Sequence, residues 1–526
     1  MKNLEERKTN LFWSLKSRRM HVIILLMFGW GIMAFTRHQL GISLPCMLNS
    51  TAIEEGSLNK YEENFNQIEN DKKCLKNNNV KNISYFVDKK IVVDYGGTFN
   101  WSYDQQNLVI SGTYFGSLLT VLPAGYLSDK ISSKNMMIYG SIVYILTSVT
   151  FPYLVMTFGY LPGFITRFIM GLGEGMLLPA SSSILSKWFT NSEKPLASTL
   201  LTSGNQIATF IGNPLAAFFC QSSIGWSGTF YTCGIILFIW IIFWYYFIQN
   251  SPDTAKWISI NEKEYLEKET GFEKIKKENK KNFKIPWKNI LTSSALYCTI
   301  PCYFFGNMYG VFLSMYLPLF YKEKLYVNVM NNGFMTAVPT IIQMIVKILW
   351  SSYIGKLQKK NCITSNTSVK ISQLVSGILL PVGLIMVDLT LDCTNPWITV
   401  IYICIANCGY GIATSGYTVS IISMAPAVTG MLSGITNTAA ILSRISTPFI
   451  FSLLKKTKII NVWKGAFYGI AISWFISSLI FIKWGVGEAQ EWGIIKNIPE
   501  SENTNKTMVS LNSETTSINS TTNISK

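Results

Sequence analysis

Charge is scarce in this chain. Asp, Glu, Lys and Arg make up 14% of its 526 residues, and histidine occurs only twice. Soluble domains carry about 25% charged residues, so a soluble enzyme or nucleic-acid-binding module of ordinary make-up is excluded. The marks of site chemistry are missing as well. There is no Ser/His/Asp grouping, no phosphate loop and no metal-ligand spacing. Gly171-Leu-Gly173-Glu-Gly175 lacks the strand-turn-helix context of a nucleotide site. The ten cysteines are scattered, mostly in apolar runs. Cys298 with Cys302, and Cys404 with Cys408, read as small packing residues. Cys46 and Cys74 fall in one polar stretch and are close enough in sequence to bond, a pairing the sequence leaves open. The expectation is a protein that is not an enzyme and holds neither metal nor cofactor.

What the chain has instead is apolar length: 49% of its residues are hydrophobic and 13% aromatic. Apolar segments of about 18 residues or more read as membrane-spanning helices. Twelve occur, at about 21–44, 106–127, 135–157, 161–185, 196–219, 227–249, 291–320, 332–354, 367–389, 397–418, 428–454 and 464–486. The net charge of +16 sits largely between them, which the excess of Lys and Arg in cytoplasmic loops explains without a nucleic-acid partner. Lys2, Arg7, Lys8, Lys16, Arg18 and Arg19 place a cytoplasmic segment at 1–20, and an even number of spans returns the C-terminus to that side. The first apolar run is too long for a signal peptide, and no small-residue cleavage site follows it. Lys455, Lys456, Lys458 and Lys464 disobey, because this topology puts their loop outside.

The spans divide into an N-terminal bundle at 21–249 and a C-terminal bundle at 291–486. A cytoplasmic linker at 250–290 joins them, with ten lysines and seven acids. It reads as a solvated connection in which Asn261 to Leu266 form a capped surface helix. An external loop at 45–105, polar and without hydrophobic periodicity, follows the first span. It carries Asn-x-Ser/Thr acceptors at Asn49, Asn82 and Asn100, of which Asn82 is the candidate for glycosylation. Residues 487–526 are rich in Ser, Thr and Asn and read as a disordered cytoplasmic tail.

Against this apolar background a few charges stand out. Arg167 and Glu174 lie within one apolar run and are seven residues apart, so on a helix they share a face, separated by roughly 10 Å along the axis. Each charge at the bilayer centre costs about 2.5–3.5 kcal/mol on insertion scales. The structural reading is a polar pair that holds two helices together. The functional reading, which we favour, is a guanidinium that receives an anion and a carboxylate that carries a proton. Arg37 lies deep in the first span, where the alternative is snorkelling to the outer interface; His38 beside it reads as a packing contact. Lys347 and Arg444 lie within the eighth and eleventh spans. Arg444 shares a face with Asn437, below a Gly430-x-x-x-Gly434 pair suited to tight helix crossing. Asn437, Arg444 and Lys347 are additional candidates for lining a cavity.

Gly125-Tyr-Leu-Ser-Asp129-Lys130-Ile-Ser132-Ser-Lys134 resembles the signature between the second and third helices of the major facilitator superfamily. Ser132 stands where that pattern has a second glycine. Gly125, Asp129, Lys130 and Lys134 would then form its cytoplasmic gating cluster. Within the superfamily, Arg37-x-x-Leu40, Phe99-Asn100-Trp101, Arg167 through Pro179, Ile285-Pro286-Trp287, Asn331-Asn332-Gly333-Phe334, Gly434-Ile-Thr-Asn437-Thr438 and Gly487-Glu-Ala-Gln-Glu-Trp492 resemble the anion:cation symporter family, on its sialin-like side. These matches run in order from about residue 21 to 492.

The resemblance implies an all-α integral membrane fold of twelve helices in two pseudo-symmetric six-helix bundles. Substrate would be held at mid-membrane and exposed to each side in turn. It implies a secondary transporter of a small organic or inorganic anion, coupled to H+ or Na+, with Arg37 and Arg167 binding substrate and Glu174 coupling protons. Such a protein would act as a monomer in the plasma membrane or a lysosomal or vesicular membrane. Several family positions differ here: Met170 replaces an acid, Ile110 a histidine, Gly306 an arginine, and Ser420-Ile-Ile-Ser423 a polar run. The alternative these departures motivate is a non-transporting receptor or scaffold that retains the fold.

Overall fold

The computed structural model describes residues 17–56, 84–87, 90–130, 132–189, 194–250, 287–425, 429–457 and 461–490, together with 252, 255, 258–260, 262 and 266. The first span is a helix, α1 (Arg18–His38), that continues through a turn at Gln39 into α2 (Leu40–Met47). The remaining N-terminal helices are α3 (Tyr103–Lys130), α4 (Ser133–Phe158), α5 (Tyr160–Trp188), α6 (Lys194–Gln221) and α7 (Ser227–Phe247). The C-terminal half opens with α8 (Ser294–Val311), a wide π-turn at Phe312–Tyr316 and α9 (Leu317–Leu325). Then come α10 (Val329–Lys359), α11 (Ser365–Leu389), α12 (Pro396–Ala413), a second π-turn at Thr414–Thr418 and α13 (Val419–Met424). The half closes with α14 (Thr429–Thr457) and α15 (Val462–Trp484). Among the described residues, twelve membrane-length stretches result, six to each half.

Eight of these stretches are long and apolar enough to cross a membrane by length and composition alone, among the described residues. The other four are α3, α6, α8 with α9, and α14. The halves meet along α3 with α14 and along α6 with α10, so three of these four carry the polar residues of the seam. Isoleucine, leucine and phenylalanine point outward instead: Leu146, Ile235 and Phe238 are each about 60% exposed, as lipid-facing side chains are. Lipid tails give no hydrophobic drive between helices, so packing of small residues and interhelical hydrogen bonds hold the bundle.

Both halves close against each other at the end that carries residues 45–105. Gly41 packs directly on the Ser314 carbonyl in the π-turn, an approach that any Cβ would block. Lys322, 3% exposed, donates to the Pro45 carbonyl at 2.9 Å and to Ser50 Oγ at 2.7 Å and sits over the Tyr95 ring. Tyr316 donates to Asn107 at 2.6 Å, Tyr95 to the Val327 carbonyl at 2.5 Å, and Asn213 to Thr336 at 3.3 Å. Part of the loop expected to be polar and unpatterned is therefore folded. Strands β1 (Ser84–Val87) and β2 (Lys90–Val93) pair antiparallel, and Val92, Val93 and Trp101 are buried.

The structure settles one pairing the sequence left open, accounts for one discrepancy and corrects one expectation. Cys46 forms its disulfide with Cys220, at the end of α6, and not with Cys74. The lysines that disobeyed the charge rule are neutralised: Lys455 by Glu323 at 3.8 Å, Lys456 by Asp104 at 2.7 Å and Lys464 by Asp388 at 3.5 Å. Glu262, expected on a surface helix, is 1% exposed. It caps the start of α1, accepting from Ser17 Oγ at 2.7 Å, from the Arg18 and Arg19 amides at 3.0 and 3.2 Å, and from Arg19 Nε at 2.9 Å. A carboxylate at a helix N-terminus answers both the orphan amides and the dipole, which no spacing in the linker announces. Asn82, Lys458, residues 1–16 and the tail from 491 lie outside the described residues, as does most of the linker.

Candidate functional site

The glycines around Glu174 explain how a charge reaches the middle of the bundle. Gly171 packs on the Thr113 carbonyl and Gly175 on Thr120, both in α3, while Gly173 packs on α4 at the Gly140 carbonyl, 3.1 Å from where a Cβ would stand. Small residues on two faces let α5 lie tightly between α3 and α4, and they leave Glu174 on the remaining face toward α1. Glu174 is fourteen residues from either end of α5, about 21 Å at 1.5 Å per residue. It therefore sits at mid-membrane.

Arg37, from α1, reaches it there. Arg37 Nη1 is hydrogen-bonded and ion-paired to Glu174 Oε1, and both side chains are 12% exposed. The Nε and Nη2 groups of Arg37 point to His38 Nε2 at 3.3 and 2.9 Å. The same Glu174 oxygen lies 3.7 Å from Arg444 Nη1, on α14 of the other half. Arg444 is held by Asn307 of α8, whose Oδ1 accepts from Nε at 3.0 Å and from Nη2 at 2.9 Å. Tyr114 and Tyr144 stand close enough to act electrostatically on Arg37. Arg37 is therefore not at the headgroups.

Arg167 is placed differently from the direct anion contact expected of it. It is 1% exposed and its guanidinium lies over the rings of Phe151 and Phe230, 5.3 and 5.9 Å from their centres. Nη1 donates to the Arg37 carbonyl at 3.1 Å. Among the described residues, Nε and Nη2 have no hydrogen-bond partner, nor do Glu174 Oε2, His38 Nδ1 and the Tyr114 hydroxyl, all of them buried. Among the described residues, three guanidiniums thus share the neighbourhood of a single carboxylate. Buried charges are normally paired, so an excess of two positive charges is an environment suited to an anion.

The other candidates fall elsewhere. Lys347 donates to Thr202 Oγ1 across the seam at 3.0 Å, toward the linker end, and does not join the arginines. Asn437 is half-buried, and its side chain makes no hydrogen bond among the described residues. Gly434 has nothing within 4 Å of its Cβ position, so the tight crossing expected there is not formed. Lys134 donates to the Tyr245 carbonyl at 2.7 Å, at the end of α7, and lies 5.0 Å from the Tyr245 ring centre. Gly125, Asp129 and Lys130 are on the last turns of α3, and their side chains lie outside the described residues. Sequence reasoning missed Asn307 and Glu262. An amide next to Gly306 and an acid within a charge-rich linker carry no periodic signal of their roles.

Two six-helix halves closed at one end around a mid-membrane charge cluster define a multi-pass membrane transporter fold. The profile of the Major Facilitator Superfamily matches residues 83–448. The chain is 35% identical over 503 residues to the uncharacterized transporter slc-17.3 of Caenorhabditis elegans, covering 92% of this chain and 91% of that one. It is 25% identical over 479 residues to human sialin, covering 91% of each. With vesicular glutamate transporter 3 of Danio rerio it shares 26% over 407 residues, or 77% of this chain and 68% of that protein. Among solved structures, the crystal structure of a D-xylose-proton symporter matches with a TM-score of 0.61 at 13% identity, covering 89% of this chain and 99% of that one. The chain belongs to the major facilitator superfamily, in the group of sialin and the vesicular glutamate transporters.

Proposed function

We propose that this chain carries a small anion across the membrane by alternating access, coupled to a proton on Glu174. The observation that carries the reading is one oxygen of Glu174 set against Arg37 of one half and Arg444 of the other. That oxygen occupies the place a substrate's acidic group would take. When a proton neutralises Glu174, Arg37 is released to a solute anion by a charge-assisted fork. When the anion leaves, the carboxylate reclaims the guanidinium and gives up its proton. Arg167 holds the Arg37 backbone and adds positive potential from behind the aromatic rings, so in this conformation it acts through Arg37. A proton suits this site better than Na+, because the neighbours of Glu174 are guanidiniums and Na+ needs a cage of oxygen ligands.

The reading extends to this protein the solute class that the names sialin and vesicular glutamate transporter suggest for those relatives. Its test is exchange and accumulation of labelled sialate, glutamate, urate and phosphate in proteoliposomes at two pH values. Glu174→Gln should retain anion exchange and lose accumulation driven by a pH gradient. Proton-driven accumulation equal to wild type in that variant rejects the coupling role. Binding without exchange by the unmodified protein favours a receptor that keeps the fold.

A further inference from the structure

Arg444 is the most solvent-accessible member of the charge cluster, its side chain 28% exposed where those of Arg37 and Glu174 are 12%. It stands at the centre of α14, fifteen residues from Thr429 and thirteen from Thr457. Its fork is divided by function. Nε and Nη2 are both taken by the single Asn307 oxygen, which fixes the guanidinium plane, while Nη1 is aimed at Glu174 Oε1. Asn307 is itself tethered, because its amide donates to the Tyr303 carbonyl at 2.9 Å. The amide therefore presents its oxygen to Arg444 and cannot turn without losing bonds at both ends. A guanidinium that only filled space would need no such aiming.

The two arginines that reach Glu174 come from opposite halves, and they converge on the same oxygen. With Glu174 ionised, this face of the chamber carries a net charge of plus one. Once Glu174 is protonated it carries plus two, and both guanidiniums are open to a solute. We propose that Arg444, positioned by Asn307, is a substrate-contact and specificity-determining residue that makes the site select anions carrying two negative charges, such as hydrogen phosphate or a short dicarboxylate. One charge or acidic group faces Arg37 and the other faces Arg444. A singly charged anion of the same shape leaves one of the two desolvated cations uncompensated, which is the costly arrangement. Because the contacts come from both halves, the doubly charged solute also joins them at mid-membrane, where the Glu174 carboxylate now links Arg37 to Arg444. This inference rests on the transport reading above and specifies the substrate class of the same site.

The experiment compares matched anions in counterflow by purified protein in proteoliposomes: succinate against its half-amide succinamate, and phosphate against dimethyl phosphate. Wild type should prefer the doubly charged member of at least one pair by about tenfold or more in KM, the scale expected when one partner of a desolvated charge contact is missing. Arg444→Gln should reduce that preference to less than about threefold. Asn307→Ala keeps the charge and serves if Arg444→Gln does not fold. It should raise KM for the doubly charged anion with little change in maximal rate, and Asn307→Ala combined with Arg444→Gln should be no worse than Arg444→Gln alone, as for two residues acting as one unit. Equal handling of singly and doubly charged anions by wild type, or a preference unchanged in Arg444→Gln, overturns the assignment while leaving transport standing. No exchange of any of the four anions, nor of the wider panel above, overturns both.

Discussion

Replacing Glu174 by Gln preserves shape and removes one charge, so its consequence can be worked from the site. That carboxylate is the single negative group among Arg37, Arg444 and Arg167 within the described cluster. Removing one member of a buried ion pair costs about 3–5 kcal/mol. Both partners keep 12% exposure, so the lower end of that range, about 3 kcal/mol, applies. An anion that binds the variant at a hundred times its Kd returns about 2.7 kcal/mol. Without added anion the variant should therefore melt below wild type, and saturating phosphate or succinate should recover most of the difference. Wild type should gain less, because its own carboxylate already occupies the guanidiniums. The assay is the melting midpoint of purified protein in detergent, followed by tryptophan fluorescence through an anion titration at constant ionic strength. A variant that melts with wild type in the absence of anion, and moves no further than wild type in its presence, refutes the reasoning.

Three other outcomes follow from the same contacts. Arg167→Lys keeps the charge but cannot reach from the Arg37 carbonyl to the Phe151 and Phe230 rings with a planar fork; anion affinity should fall about tenfold in exchange assays, the scale of a lost charged hydrogen bond, and wild-type affinity would show that charge alone suffices. Burial pushes the Glu262 carboxyl up, but bonds from the Arg18 amide, Ser17 and Arg19 more than offset it and hold the group below its ordinary 4.5. Its cap on α1 is thus fully present above that value and is lost as pH falls through the lower, folded-state value. Glu262→Ala should accordingly speed exchange of the Arg18 and Arg19 amides at neutral pH, while unchanged protection would show that the linker does not hold the helix. A non-reduced digest analysed by mass spectrometry should contain a peptide pair joined through Cys46 and Cys220, and finding Cys46 joined to Cys74 would show the pairing to be wrong.

Much of the architecture was legible because the bilayer simplifies the code. A membrane span must satisfy its backbone internally and present apolar side chains to lipid, so length and hydropathy alone mark eight of the membrane-length stretches among the described residues. The charges at Arg37, Arg167 and Glu174 were conspicuous for the same reason. Their mutual geometry was not. Seven-residue spacing puts Arg167 and Glu174 on one face of α5, yet the face meets α1 at two different levels, one at the Arg37 carbonyl and the other at its guanidinium. Lys347, as conspicuous as Arg444 in sequence, meets Thr202 and stays apart. The positive loop that contradicted the topology became reconcilable only when Asp104, Glu323 and Asp388 were seen beside its lysines. Those acids are distant in the chain, and no local pattern couples them.

The amino-acid order by itself determined that this is a multi-pass membrane protein with expensive charges kept inside its spans. That follows from local quantities: how many apolar residues run together, and what one charge costs in hydrocarbon. Tertiary structure decided which charges share a chamber, that Arg167 stands behind Arg37, that Asn307 aims Arg444 across the seam, and that Glu262 and Cys220 find partners more than a hundred residues away. Pairings of that kind depend on helix crossing and rotation, which close packing of glycines against neighbouring backbones sets, and sequence spacing does not carry that information.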